Sequence, residues 1–523
     1  MPVEDYGATS KPQMQTIANV STLVDSNLEA GRGNATAIIT ADDQRVTFAQ
    51  LHSLVCGVAS GLSDLGIRRE ERVLLVLDDT PAFPASFLGA LRIGAVPIPV
   101  NFLARPEDFG YFLDDSYAVA VIVDTAFLDK VLPQLASRAN VQVIVANGAS
   151  SEAGASLDQW LSASSREVSP VSTHPDDPAF WLYSSGSTGS PKGVVHRHAA
   201  VAPTFEHYAR PILEIKPGDV MFSSTKMYHA YGLGNNLTFP LSAGATSVYL
   251  TGRPTPDRLF ERVNTHHPDI YFSVPALYNA ILASPQCNET DWSSVRLAVS
   301  AAEPLPPEIW HRFYDRTGIE ILDGLGSTEM LHIFCSNRPG KVRPGTSGAP
   351  NDGYQVELRD EQHTVVAPGE AGEMWVRGPS ALSGYWHQRE RTEAKLVGGW
   401  FASGDRYHQD QDGYYVCEGR VDDMMKIGGL WVSPIEIENR LMAHEAIREA
   451  AVVTVEIDHF SRIKASVILN DPNQVEDGLV AALQDWCRLT LPHYQYPHVV
   501  EFVTDFPRTP TGKIQRFMLR APS

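Results

Sequence analysis

Residues 184–193, Ser-Ser-Gly-Ser-Thr-Gly-Ser-Pro-Lys-Gly, are the stretch of the chain best suited to chemistry. A run of Ser, Thr and Gly cannot pack a core, but it leaves backbone N–H groups free to surround phosphate oxygens. Lys192 adds a point charge suited to terminal phosphates, and the apolar Phe180–Tyr183 just before the loop supplies a strand to hold it. The arrangement is not a P-loop, which ends in Gly-Lys-Ser/Thr, whereas Lys192 stands between Pro191 and Gly193. It reads as nucleotide handling by a different architecture.

Such a loop needs a rigid frame. The apolar runs Val73–Leu77, Ala118–Val123, Val141–Val145 and Arg296–Ser300 alternate with stretches long enough for helices. That is the pattern of parallel strands buried on both faces. Thr47 reads as the cap of a helix through TFAQLHSLVCGVASGLSDLG, whose apolar residues recur three and four apart. The expected fold class is α/β, a large body of layered, mainly parallel sheets. After about residue 345, frequent Pro and Gly and short runs such as Gln355–Leu358 and Gly372–Arg377 predict a β-rich subdomain. From Val421 onward, a helix over Pro434–Leu441, strands over Ala450–Val455 and Lys464–Leu469, and a helix over Val475–Leu489 predict a small α+β domain. The expected domains are 1–420 and 421–523, joined by a short link near Gly419–Asp423.

The 523 residues include 42 Lys and Arg against 62 Asp and Glu, a formal net charge of −20. That balance repels nucleic acid and anionic membranes, so neither is expected as a partner, while a local cationic site can still take small anions. The five cysteines are scattered, with no CxxC pair, and read as having no His at ligand spacing. This argues against a disulfide scaffold or zinc module and fits a reducing, cytoplasmic setting. The polar, acidic start MPVEDYGATS does not read as a signal peptide, and no stretch approaches the roughly 18 uninterrupted apolar residues of a membrane span.

SSGSTGSPKG resembles the phosphate loop of the adenylate-forming superfamily, which includes acyl- and aryl-CoA ligases, luciferases and the adenylation domains of peptide synthetases. Gly326–Glu329 (GSTE), Ser403–Asp405 (SGD), Gly419–Asp423 (GRVDD) and Pro510–Lys513 (PTGK) resemble its other signatures, in the same order. The resemblance implies an enzyme that joins a carboxylate to the α-phosphate of ATP, expels pyrophosphate and passes the acyl group to a thiol. Two anions must meet, so positive charge and fixed geometry supply the catalysis. It implies that Ser184, Ser185, Gly186, Ser187, Thr188, Gly189 and Lys192 contact the phosphates, and that Ala302, Glu303, Asp323, Gly324, Ser327 and Thr328 complete the ATP site. Glu329, with Thr188, would hold Mg²⁺ through hard oxygen ligands. Asp405 would accept from both ribose hydroxyls, and Arg420 would reach ribose or phosphate. Lys513 would be the catalytic lysine, bridging the carboxylate and the α-phosphate. Asp422 matches the hinge on which the tail swings as a mobile lid, and Gly428 and Gly429 would leave room for the pantetheine arm of CoA.

Within the superfamily, DDPAFWLYSSGSTG, AYGLGNNLTFP, DGLGSTEMLHIF and GKIQRF resemble the benzoate-CoA ligases and related aryl-CoA ligases. This implies a carboxylate pocket lined by Ala230, Tyr231, Ala301, Gly326, His332 and Ile333, with His332 a donor toward the carboxylate or a ring substituent. His229 would be a gate between the adenylate and the thiol tunnel. The substrates implied are ATP, CoA and benzoate or a substituted benzoate, with a second copy of the chain as partner in a homodimer. The chain departs from the pattern at Ala302, where those ligases have Gly, and at His229, where they often have Phe. Ser273–Leu282 and Asn337–Gly340 also resemble ligases for 2-aminobenzoate, and a carrier protein or an amine stays open as the acceptor in place of CoA. Lys426, Arg462 and Lys464 are candidates for the CoA phosphates, or else solvated. Intact Lys192, Glu329, Asp405, Arg420 and Lys513 disfavour a catalytically dead scaffold, and the aryl-ligase motifs disfavour luciferase-like oxygenation.

Overall fold

The computed structural model describes residues 17–148, 153–162, 166–184, 191–427, 430–457, 460–471, 478–508 and 514–520. Thr47 caps the helix Phe48–Asp64 from both sides: its hydroxyl accepts the Gln50 N–H at 3.2 Å, and the Gln50 side chain accepts the Thr47 N–H at 2.8 Å. The apolar runs form buried parallel strands, at Arg72–Val76, Ala120–Asp124, Gln142–Ala146 and Leu297–Ser300. The expected layered α/β body is what the chain builds.

One sheet of nine strands runs in the order 349–350, 333–336, 321–326, 297–300, 270–273, 220–223, 246–248, 36–39 and 45–47. Its central strands, from 321–326 to 36–39, are parallel, and the flanking ones are antiparallel. A second sheet, wholly parallel, has the order 96–99, 72–76, 120–124, 142–146 and 155–156. Its winding reverses between 72–76 and 120–124, and the crevice beyond such a reversal is where open α/β sheets take a ligand. Here protein fills it. Asp78 and Asp79, just past the strand Arg72–Val76, meet Lys226 from the connection that follows Val220–Ser223 of the first sheet.

The strands 178–184 and 192–197, which flank the Ser/Gly loop, pair antiparallel, with 384–385 against the latter. The expected β-rich region is an antiparallel sheet of 355–359, 372–377, 400–409, 396–397 and 415–420. In the tail, Ile447–Ile457 pairs antiparallel with Phe460–Leu469, and Val499–Phe502 runs parallel to the latter, against the helices Pro434–Met442 and Leu479–Arg488. Both long strands exceed their expected bounds because polar residues such as Glu456 and Arg462 occupy their far ends. The helix expected over Val475–Leu489 is described over Leu479–Arg488, and residues 475–477 lie outside the described residues. Among the described residues, no helix is long and apolar enough to cross a membrane.

Candidate active site

The strand Lys192–Arg197 carries Lys192 out of the Ser/Gly loop and across to Glu329, with Nζ 2.9 Å from Oε1. Tyr385, from the short strand beside it, donates its hydroxyl to the same Oε1 at 2.9 Å, while Lys192 reaches that hydroxyl at 3.2 Å and lies 4.5 Å from the ring centroid. Glu329 is only 7% exposed, so it is no solvated helix-start residue. Burial pushes its carboxyl pKa up, but the charge and hydrogen bond of Lys192, with the Tyr385 hydroxyl, together outweigh burial and hold it below the usual range. A buried, ionised carboxylate fits a hard divalent cation. No local sequence pattern singles out Tyr385. It is placed by the pairing of Gly384–Tyr385 with Val194–Val195, nearly two hundred residues away in the chain.

One short segment links this charged pair to an aromatic chamber. Ser327 caps the turn Thr328–Met330, its hydroxyl accepting the Met330 N–H at 3.2 Å, and His196 donates to the Thr328 carbonyl at 2.9 Å. Leu331 then sits at φ +64°, ψ −32°, closed by a His332 N–H to Met330 carbonyl bond of 2.8 Å. This is a γ-turn with a branched residue at its centre, a rare conformation that costs about 1–3 kcal/mol. It aims His332 to the opposite side from Glu329. His332 is buried among Phe239, Tyr231 and Tyr208, with ring centroids at 4.4, 5.5 and 5.6 Å. The ring fits because Gly234 has no side chain: a Cβ there would stand 2.3 Å from Cδ2 of His332. At Gly326 a Cβ would stand 2.7 Å from the His332 carbonyl oxygen.

His332 corrects an expectation. Burial holds its pKa down at about 3, so the ring is neutral, and Nε2 donates to the Tyr231 carbonyl at 3.3 Å. The remaining nitrogen, Nδ1, is therefore an acceptor, not a donor, and it is buried with no protein partner among the described residues. Ala230, Ala301 and Ile333 are buried around this chamber, and the Tyr231 hydroxyl donates to the Val299 carbonyl at 3.3 Å. His229 precedes the helix that starts at Ala230, and its ring lies 4.3 Å from that of Tyr228.

On the nucleotide side, Asp405 and Arg420 face each other across paired strands, Nη1 to Oδ1 at 2.8 Å. Asp323, within the strand Ile321–Gly326, has a buried carboxyl, pushed well above the usual range by burial, whose Oδ2 accepts the Leu305 N–H at 3.4 Å. Gly324 follows it in the same strand. Ala302 lies at φ +78°, the left-handed region, so the position that the resemblance expects to be Gly has a glycine-like backbone. The alanine costs about 1–2 kcal/mol there. Glu303 follows it and adds to the charge around Arg516 of the tail. Asp422 lies in the turn Val421–Asp423. Ser185, Gly186, Ser187, Thr188, Gly189, Gly428, Gly429 and Lys513 lie outside the described residues. Lys464 is buried and paired with Glu501 at 2.9 Å, so it is neither solvated nor open to a CoA phosphate.

The cysteine reading also needs correction. His52 and Cys56 are four apart on the helix Phe48–Asp64, which is ligand spacing, and their Nε2 and Sγ lie 3.9 Å apart. With Glu167 they form a three-ligand group within 4.8 Å. The imidazole nitrogen a metal would need is already engaged, 3.1 Å from Asp25 and 3.2 Å from the Arg92 guanidinium, which also forks onto Asp25. The cluster is an ion-pair network. The Asp25 hydrogen bond raises the His52 pKa to about 9, so the stabilisation is complete below the ordinary value of about 6.5 and is lost as pH rises through 9. Between pH 7 and 10 the Tm of the protein should fall further than that of His52→Gln, by about 1 °C for each kcal/mol carried in a chain of this size. Parallel curves for the two proteins would remove that role from His52.

The parallel sheets, the signature loop and the paired acid and lysine define an adenylate-forming enzyme. The AMP-binding enzyme family matches residues 26–386, and the AMP-binding enzyme C-terminal domain matches residues 436–513; the chain belongs to this family. It is 45% identical over 503 residues to a benzoate–CoA ligase of Thauera aromatica, covering 95% of each chain. Its fold matches the crystal structure of a benzoate CoA ligase from Burkholderia xenovorans LB400 with a TM-score of 0.89 at 43% identity, over 96% of this chain and 100% of that one. It matches an anthranilate CoA ligase in complex with anthranoyl-AMP with a TM-score of 0.92 at 36% identity, over 97% of each.

Proposed function

We propose that the chain is an ATP-dependent, AMP-forming aryl-CoA ligase that converts benzoate to benzoyl-CoA through benzoyl-adenylate. The observation that carries this is the segment Gly326–Ile333, which holds Glu329 in a charged pair at one end and buries His332 in an apolar, aromatic chamber at the other. An aryl carboxylate seated in the chamber would present its oxygens toward the charged side, where ATP is expected. That is catalysis by positioning and charge.

In this reading Ser184–Gly189 and Lys192 take the phosphates, Asp405 and Arg420 the ribose, and Ala302, Glu303, Asp323, Gly324, Ser327 and Thr328 the rest of the nucleotide. Glu329 and Thr188 would hold Mg²⁺, which neutralises phosphate charge when bound. His229 borders the path of the thiol, Gly428 and Gly429 line it, and residues 421–523 act as the lid that turns at Asp422 and brings in Lys513. The similarity to benzoate–CoA ligases supports benzoate as the acid.

A second reading, 2-aminobenzoate, is favoured by one observation. The buried acceptor Nδ1 of His332 would be satisfied by a donor on the ring, and an unmet buried acceptor costs about 1–3 kcal/mol. The test incubates the protein with ATP, Mg²⁺ and benzoate, its amino-, hydroxy- and chloro-forms, cinnamate and a medium-chain fatty acid, with and without CoA, and reads products by mass spectrometry. Benzoyl-CoA and AMP are expected. A marked preference for 2-aminobenzoate would select the second reading, and adenylate that accumulates and ignores CoA would move the acceptor to a carrier protein or an amine.

A further inference from the structure

The residues just before His229 hold a buried charge group that the proposed reaction does not use. Lys226 is only 6% exposed. Its ammonium donates to Asp78 Oδ1 at 2.7 Å and to the Leu250 carbonyl, lies 3.9 Å from Asp79 Oδ2, and sits 5.7 Å from the ring centroid of Phe102. Asp78 and Asp79 are 7% and 2% exposed, and both lie just past the strand Arg72–Val76 of the other parallel sheet. Asp79 also accepts the Met227 N–H at 3.2 Å, and Asp78 accepts the Gly252 N–H. The turn Lys226–His229, closed by the His229 N–H on the Lys226 carbonyl at 3.0 Å, is thus held by its first side chain and by its second backbone amide. Both holds come from the same two carboxylates.

A buried ion pair is poor value as a stabiliser, because desolvation consumes most of the Coulombic gain, and apolar replacements are often as stable. What it supplies is a fixed position. The only residues between the clamp and His229 are Met227 and Tyr228, both buried, and Tyr228 packs edge-on against Phe102 at 5.4 Å. The turn therefore has no slack: a shift of Lys226 passes to His229. On the other side, Asn236 donates to the Thr225 carbonyl at 2.9 Å, which ties the start of the turn to the segment over His332. The groups facing Asp79 are Lys226, its neighbour Asp78, and the buried Tyr228 and Tyr249.

We infer that Lys226, gripped by Asp78 and Asp79, is a positioning residue that sets the place of His229, so that transfer of the acyl group to the thiol depends on it and adenylation does not. This rests on the reading above that His229 borders the thiol path. The two halves separate because Lys192, Glu329 and Tyr385 form a contact set that shares no residue with the clamp.

The test measures the half-reactions apart, adenylation by benzoate-dependent pyrophosphate exchange and transfer by benzoyl-CoA formation from supplied benzoyl-adenylate. Asp79→Ala removes the acceptor for Met227, and Lys226→Met removes the cation but keeps the stem. Both should lower kcat for transfer at least tenfold, by misplacement, with KM for CoA and the exchange rate within about threefold of the parent. Asp79→Asn keeps an oxygen for Met227 and should restore transfer to within about threefold. Lys226→Met leaves two buried carboxylates without a cation, so if it fails to fold, the Asp79 pair decides. A parallel loss of exchange and transfer, or no loss in either, overturns the inference. If the parent protein itself forms adenylate but no benzoyl-CoA, the reading of His229 falls and the inference falls with it.

Discussion

Glu329→Gln is expected to lower adenylate formation by about 10²–10³-fold, the loss of roughly 2.7–4 kcal/mol seen when a preorganised charge-stabilising group is removed. The amide keeps the shape of the side chain and an oxygen for the Tyr385 hydroxyl, now at 2.9 Å, so packing is preserved. What is lost is a negative charge in a buried place, where Lys192 lies 2.9 Å away. Lys192 then has one partner fewer at a site where charges are poorly screened, and the phosphates lose the carboxylate expected to hold their cation. Because Lys192 holds the Glu329 carboxyl below the usual range, the residue stays ionised at any pH from about 5 upward, and the parent's adenylation should show no rise traceable to it there. Pyrophosphate exchange at saturating ATP and benzoate, on a variant whose unfolding transition is intact, measures the effect. Exchange within tenfold of the parent would take Glu329 out of the reaction.

Lys513→Ala should do as much damage to adenylation, about 10²–10³-fold or more, and little to the second half. The carboxylate that attacks and the phosphate that is attacked both carry negative charge, and in the proposed function Lys513 is the cation placed between them. Transfer from supplied benzoyl-adenylate needs no such bridge, because the adenylate is already activated, and it should stay within about threefold. The asymmetry is the informative part, since an unfolded or misdocked tail would injure both halves. If both halves survive, the role assigned to Lys513 is wrong.

The parts of this molecule that could be read in the sequence are those whose cause lies nearby in the chain. Thr47 and Gln50 make their capping box across three residues, and Arg72–Val76 and Ala120–Asp124 are strands because they are apolar throughout. The chemistry-bearing residues were legible by motif, Lys192 and Glu329 above all. Their company was not. Tyr385 joins them across 56 and 193 residues, and the acceptor that fixes the His332 tautomer is a backbone carbonyl 101 residues away. No local pattern encodes either. The link between Lys226 and Asp78 spans 148 residues and looks, in sequence, like two ordinary surface charges. His52 and Cys56 stand at ligand spacing in the sequence, but the Asp25 and Arg92 that engage the imidazole come from 27 and 40 residues away, so the ion-pair network is not legible there.

The reversal point of the second sheet has a consequence for how this architecture can change. In most doubly wound sheets that crevice is a place to recruit a new ligand, and this chain has closed it with a neighbour's lysine. Ala301, Gly326 and Ile333 of the expected aryl pocket accordingly come from the nine-stranded sheet and its connections, while the five-stranded one serves as a foundation. A segment transplanted from a relative to alter the aryl chamber would carry residues 224–239, and the turn before His229 at its start would keep its place only if Asp78 and Asp79 were matched to it. The unit of exchange is thus larger than the pocket, and it is discontinuous in the chain.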